Sequence, residues 1–112
     1  MVEPRFRISV GRRFDLGPGK VALLEQIKKT GSIAEAAKAM EMSYMRAWML
    51  VKSMNGNVAN PLIMTVRGGR KHGGAKLTET GCLVLKLYRQ MEGQSLVATR
   101  PIQLKLARVL NS

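Results

Sequence analysis

Residues 31–56, "GSIAEAAKAMEMSYMRAWMLVKSMNG", are the most informative stretch of the chain for its fold. Ser32 followed by Glu35 is a capping box, in which each side chain satisfies an orphan backbone N–H at a helix start. A short alanine-rich helix is expected from about Ile33 to Met40. Ser43 is a second N-cap three residues further on. After it Ala47, Leu50, Val51 and Met54 recur at helical spacing until Asn55-Gly56 ends the run. Two helices so close in sequence must cross closely in space. Ala36, Ala37 and Ala47 are small enough to allow it, and Met40, Met42 and Leu50 close the wedge between them. The expectation is a helix-turn-helix, with an ordinary αα-hairpin as the alternative on this stretch alone. Glu41 stands at the turn, where many such motifs prefer glycine, so a less tight or different turn geometry is expected there.

The flanking segments fill out the domain. "RFRISV" alternates Phe6, Ile8 and Val10 with Arg5, Arg7 and Ser9, as one short half-exposed strand does, and "GRRFDLGPG" reads as turn material. "KVALLEQIKKTG" predicts a first helix over 19–30 that uses Leu23, Leu24 and Ile27 and stops at Gly31. Beyond the loop "NVANPL", residues 62–66 and 75–78 read as two antiparallel strands. Thr78 then caps a helix whose Val84, Leu87, Tyr88 and Met91 form one apolar face, widened by Leu83 and Leu85 towards a partner beyond the domain's own core. The tail 93–112 is read as a short last helix after Pro101. The fold class is therefore mainly α with a small β-hairpin, a winged helix-turn-helix. It forms a single domain over 1–112, with its core at about 5–92.

Charge points to the partner. The 112 residues hold 19 Lys+Arg against 7 Asp+Glu, a formal net charge of +12, which suits a polyanion. No acid lies between Met42 and Thr78, a window that holds Arg46, Lys52, Arg67, Arg70, Lys71 and Lys76. No run of 18 or more apolar residues exists and the N-terminus has no signal-peptide core, so a cytoplasmic protein without a membrane partner is expected. Cys82 and His72 are the only cysteine and histidine, too few for a zinc site.

The glycine-rich basic stretch "RGGRKHGGAKLTETG", residues 67–81, invites comparison with a nucleotide-binding loop. Gly69 and Gly74 have the separation such a loop needs, but Ala75 stands where lysine must reach the phosphates and Lys76 comes one position late. Asp15, the only aspartate, sits in a turn and not where such enzymes hold magnesium. Gly17, Gly19 and Ala22 match a loose dinucleotide pattern, yet Pro18 removes a backbone donor. Scattered carboxylates with one His and one Cys make no nucleophile and base pair, so no enzyme is expected. Following a helix-turn-helix, the stretch is better read as a wing. Its glycines let the backbone track a groove while Arg and Lys exchange counterions for phosphate contacts.

Those residues carry a family resemblance. "GSIAEAAKAMEMSYMRAWMLVKSMN", "VRGGRKHGGAKLTETG" and "LKLYRQM" resemble the N-terminal DNA-binding domain of the ModE-type molybdate-responsive transcription regulators, over roughly residues 20–92. The shared features are the G-S-I opening, the S-Y-x-x-A-W start at Ser43 to Trp48, the M-N at that helix's end, and the wing leading into a leucine-rich helix. The resemblance implies a winged-helix domain that dimerises and represses or activates genes for molybdate uptake and molybdenum enzymes. In that family a separate C-terminal module of paired small β-barrels senses the oxyanion. No room for it is expected before Ser112, so this chain is expected to bind no cofactor, and a separate effector-sensing protein is a candidate partner.

The candidate DNA-binding residues are Ser43, Tyr44, Met45, Arg46, Met49, Lys52, Arg67, Arg70, Lys71, His72 and Lys76. In a recognition helix starting at Ser43, the residues Met45, Arg46, Met49, Lys52 and Ser53 point outward and the first turns enter the major groove of duplex DNA. Arg46 is placed to read a guanine edge or to hold a phosphate. Ser43 and Tyr44 stand where a helix N-terminus attracts anions, Tyr44 with packing as its equal alternative. Trp48 is expected to pack at the edge of the core, Met40, Met42 and Met54 to fill it, and His72 to add a polar contact at the wing tip. A basic homodimer on an inverted repeat is the leading expectation, and a non-specific architectural DNA- or RNA-binding protein is the alternative.

Overall fold

The computed structural model describes residues 2–66 and 74–111. Among them the chain runs through β1 (Ile8–Val10), β2 (Phe14–Leu16), α1 (Pro18–Thr30), α2 (Ile33–Ala39), α3 (Tyr44–Gly56), β3 (Ile63–Val66), β4 (Gly74–Leu77) and α4 (Glu79–Leu110). Each strand pair is a separate antiparallel hairpin. Helices α1, α2 and α3 pack around one core with the second hairpin against them, a winged helix-turn-helix.

Local chemistry fixes the helix ends. Pro18 opens α1, and Gly31 closes it at φ 75, its N–H bonded to the Ile27 carbonyl at 2.8 Å. Only half of the expected capping box forms at α2. The Ser32 hydroxyl accepts the Glu35 N–H at 3.1 Å, but the Ser32 N–H donates to the Thr30 hydroxyl at 3.4 Å rather than to the Glu35 carboxylate. Ser43 caps α3 by accepting the Arg46 N–H at 3.1 Å. Between α2 and α3 the turn keeps its left-handed geometry, with Glu41 itself at φ 55. The altered turn expected from the missing glycine does not occur, and Glu41 adopts a conformation that an L-residue reaches at some cost.

Four expectations are corrected. The N-terminal strand is one arm of a hairpin, because the segment read as a turn supplies β2; Gly11 at φ 61 with Arg12 and Arg13 makes the loop, and Val10 pairs with Phe14. The closing helix and the tail are one helix of 32 residues that passes through Pro101. Near that proline, side chains add hydrogen bonds to main-chain carbonyls. Thr99 Oγ1 donates to the Ser95 carbonyl at 2.7 Å and Gln103 Nε2 to the Leu96 carbonyl at 3.0 Å. The buried face of α4 is made by Gly81, Leu85 and Tyr88 with Val84 half-buried, whereas Leu83, Leu87 and Met91 face outward. Finally, Trp48 is exposed and does not pack into the core.

The core comprises Leu16, Val21, Leu23, Leu24, Ile27, Ala36, Ala37, Ala47, Val51, Met54, Leu62, Ile63 and Leu85, sealed by Tyr88. Tyr88 is wholly buried yet satisfied: its hydroxyl donates to the Phe6 carbonyl at 2.6 Å and its ring meets Phe6 edge to face at 5.5 Å. This straps the N-terminal segment to α4. Arg89 adds ion pairs to Glu25 of α1 at 3.4 Å and to Glu92 at 2.9 Å. The hydrogen bond to Glu92 is the main reason its pKa rises above the ordinary arginine value.

Candidate nucleic-acid interface

Helix α3 is held from both ends and bare on its outer face. At its start Ser43 supplies the cap. At its last turn the Asn55 carboxamide donates to the Ile63 carbonyl at 2.9 Å and accepts the N–H groups of Leu62 at 2.9 Å and Ile63 at 3.1 Å. Ala47, Val51 and Met54 bury the inner face. Ser43, Tyr44, Met45, Arg46, Met49 and Lys52, the candidates drawn from this segment, are all exposed. Lys52 Nζ lies 5.0 Å from the centroid of the Trp48 ring, a cation–π contact on the surface where core packing was expected.

The hairpin stands beside this helix. Ile63, Ala75 and Leu77 turn inward, and the Ala75 N–H bonds to the Gly31 carbonyl at 2.9 Å, fastening β4 to the end of α1. Lys76, opposite Met64 in the register, is exposed. Arg67, Arg70, Lys71 and His72 lie outside the described residues.

Two basic residues not selected from the sequence belong to the same surface. Arg7, Lys20 and Arg46, with Gly17, Gly19, Met42 and Leu50, line a cleft of about 180 Å³ at the N-terminal end of α3. Arg7 pairs with Asp15, and Lys20 donates to the Asp15 carbonyl at 3.0 Å. Their position depends on the β1–β2 hairpin, and with β2 read as a turn there was no local signal to find them. The cleft offers positive charge beside the start of α1, where the N-cap Gly17 makes no side-chain capping hydrogen bond, a setting that holds phosphate oxygens well. Among the described residues no group of three or more His, Cys, Asp and Glu is placed to hold a metal ion. No described helix is long and apolar enough to cross a membrane.

No family profile matches the chain. It is 36% identical over 96 residues to the molybdenum transport protein ModE of Azotobacter vinelandii, a match covering 82% of this chain and 36% of that protein. It is 41% identical over 75 residues to the ModE protein of Herbaspirillum seropedicae (67% and 28% covered). With the DNA-binding transcriptional dual regulator ModE of Escherichia coli it shares 37% over 71 residues (63% and 27%). The chain thus spans about a third of the length of these curated relatives. Among solved structures, the CbnR DNA-binding domain in complex with DNA superposes with a TM-score of 0.56 at 19% identity, covering 80% of this chain and 95% of that one. Full-length LysG of Corynebacterium glutamicum with bound effector Arg gives 0.57 at 22%, covering 83% and 30%. By sequence, over most of its length, the chain is similar to proteins named ModE, and its fold is the winged helix of the DNA-binding domains on which it superposes.

Proposed function

We propose that this chain binds duplex DNA sequence-specifically as part of a cytoplasmic transcription regulator, with α3 in the major groove and the β3–β4 wing on the backbone. The observation that carries the reading is the outer face of α3. It holds the exposed Arg46 and Lys52 and belongs to a stretch that has no acid from Met42 to Thr78, in which Lys76 is exposed as well. In this reading Ser43 and Tyr44 meet phosphate at the helix N-terminus, Arg46 reads a base edge, and Arg67, Arg70, Lys71, His72 and Lys76 follow the backbone. Arg7 and Lys20 add a phosphate site next to Arg46.

The homodimer is part of the same proposal. Helix α4 is about 48 Å long at 1.5 Å per residue, and Ile102, Leu106 and Val109 repeat along its exposed C-terminal half at coiled-coil spacing. A second copy paired there would set two recognition helices on an inverted repeat. Repression or activation then depends on where that repeat lies relative to a promoter.

Selection from a random-sequence duplex pool at two salt concentrations tests this. Enrichment of an inverted repeat, with affinity falling steeply as salt rises, is the expected result. Affinity for all sequences alike leaves an architectural binder, and structured RNA competing better than duplex overturns the DNA reading. Arg70→Ala with Lys71→Ala is expected to weaken all sequences similarly and flatten the salt slope, whereas Arg46→Ala also relaxes sequence preference.

A further inference from the structure

The centre of the α3 outer face is apolar, which a helix meeting only water or phosphate does not require. At about 100° per residue, Ala47, Val51 and Met54 define the inward direction, and Met45 and Met49 lie within roughly 30° of its opposite. Both are open to solvent, Met45 at 65% and Met49 at 57% exposure. Arg46 flanks them on one side, and the Lys52–Trp48 pair on the other. Charge on the rim with thioethers at the centre is a pattern suited to a groove whose walls are phosphate and whose floor carries something apolar.

The major-groove floor presents ring nitrogens, carbonyl oxygens and amino groups, and one apolar group: the C5-methyl of thymine. A methionine side chain has no N–H or O–H to donate and only a weak sulfur acceptor, so it discriminates poorly among the polar edges. Its unbranched, polarisable chain adapts well to a methyl group. We propose that Met45 and Met49 are specificity residues that read thymine methyl groups. One turn apart on the helix, their Cβ atoms are about 5–6 Å from each other. The two thymines therefore lie within about two base-pair steps of 3.4 Å. The inference rests on the DNA-binding reading above and adds to it which bases are read and by what.

The test uses the full chain and a fluorescein-labelled duplex enriched from the random pool. Each thymine of a half-site is replaced in turn by deoxyuridine, which keeps every hydrogen-bonding group and removes only the methyl. Two neighbouring positions are expected to lose binding by about fourfold each, the value of one buried methyl-sized group. In the Met45→Ala, Met49→Ala double variant that discrimination disappears, and in Met45→Leu, Met49→Leu it is retained. Both side chains are exposed, and a circular-dichroism melt matching the parent shows that the variants fold. Equal affinity for thymine and uracil duplexes, or discrimination that persists in the alanine double variant, overturns the assignment and leaves DNA binding standing. A pool that enriches no sequence overturns both.

Discussion

Asn55 holds both faces of the Ile63 peptide backbone, donating to its carbonyl at 2.9 Å and accepting its N–H at 3.1 Å. In the β3–β4 register Ile63 stands opposite Leu77, and both its backbone N–H and its carbonyl are met by a side chain from the last turn of α3. One carboxamide therefore ties the last turn of α3 to the first strand of the wing.

Asn55→Ala strips these partners from the backbone around two buried residues, Leu62 and Ile63. Denaturant melts are expected to show a loss of about 1–3 kcal/mol. Asn55→Asp is expected to rescue little, since it keeps the acceptor for the N–H groups but sets a second oxygen against the Ile63 carbonyl. Parent-like stability in Asn55→Asp would show that the donor contributes nothing.

Gly81 makes the other close approach to this corner. A Cβ there would lie 2.1 Å from the Leu62 carbonyl oxygen. That oxygen also accepts the Thr78 N–H at 2.9 Å, and the Thr78 hydroxyl donates to the Pro61 carbonyl at 2.7 Å. Neither backbone can give way without breaking the clamp. Gly81→Ala is expected to cost at least about 1–3 kcal/mol in a chemical melt. Gly17→Ala is the control. Its added Cβ meets only the Arg7 guanidinium, at 2.8 Å, the end of a flexible side chain, and the expected loss stays within about 0.5 kcal/mol.

These contacts mark the boundary of what the residues alone convey. The caps at Ser32, Ser43 and Thr78 were legible because each acts within three residues of itself, and Ala36, Ala37 and Ala47 were legible because close helix crossing demands small side chains. The role of Asn55 was hidden: Asn before Gly reads as a helix end, whereas its partners lie seven and eight residues on. Hairpin β1–β2 was lost because Gly11-Arg12-Arg13 looks like the start of a longer turn. On α4 the apolar residues cover a wide arc, and only the position of the body decides that Leu85 goes inward and Leu87 outward. Trp48 faced the same ambiguity at the margin of α3, resolved by Lys52 on the surface. Of the candidate site, the α3 residues and Lys76 were readable from spacing, while Arg7 and Lys20 depended on the unrecognised strand.

Tyr88 gives the fold an alkaline limit. Burial, with a smaller contribution from Glu92, raises its phenol above the ordinary tyrosine value. An acid whose folded pKa is raised keeps its proton longer when folded than when unfolded. Its contribution is therefore complete below about pH 10, the unfolded value, and is lost as pH rises through the folded one. Stability measured across alkaline pH is expected to fall from about pH 10 upward. In Tyr88→Phe the decline is expected to be shallower, from a lower starting point because the hydrogen bond to the Phe6 carbonyl is gone. An identical alkaline slope in both proteins would assign the decline to other groups.

The C-terminal half of α4 tests the proposed dimer. Val97, Ile102, Leu104, Leu106, Val109 and Leu110 are each exposed there, and Ile102, Leu106 and Val109 follow the four-three spacing of a helix seam. A carboxylate placed in such a seam loses its water without gaining a partner, at a cost of several kcal/mol. Ile102→Glu with Leu106→Glu is therefore expected to weaken self-association by about a hundredfold or more in sedimentation equilibrium. The thermal melt of the winged-helix core should change little, because these residues lie beyond Tyr88, the last residue of α4 that is fully buried. With one half-site bound at a time, affinity for an inverted repeat should drop to that for a single half-site. A double variant that remains dimeric would move the interface to the other exposed row of α4, Leu83, Leu87 and Met91. A parent chain that sediments as a monomer at every concentration tried would remove the dimer from the proposal.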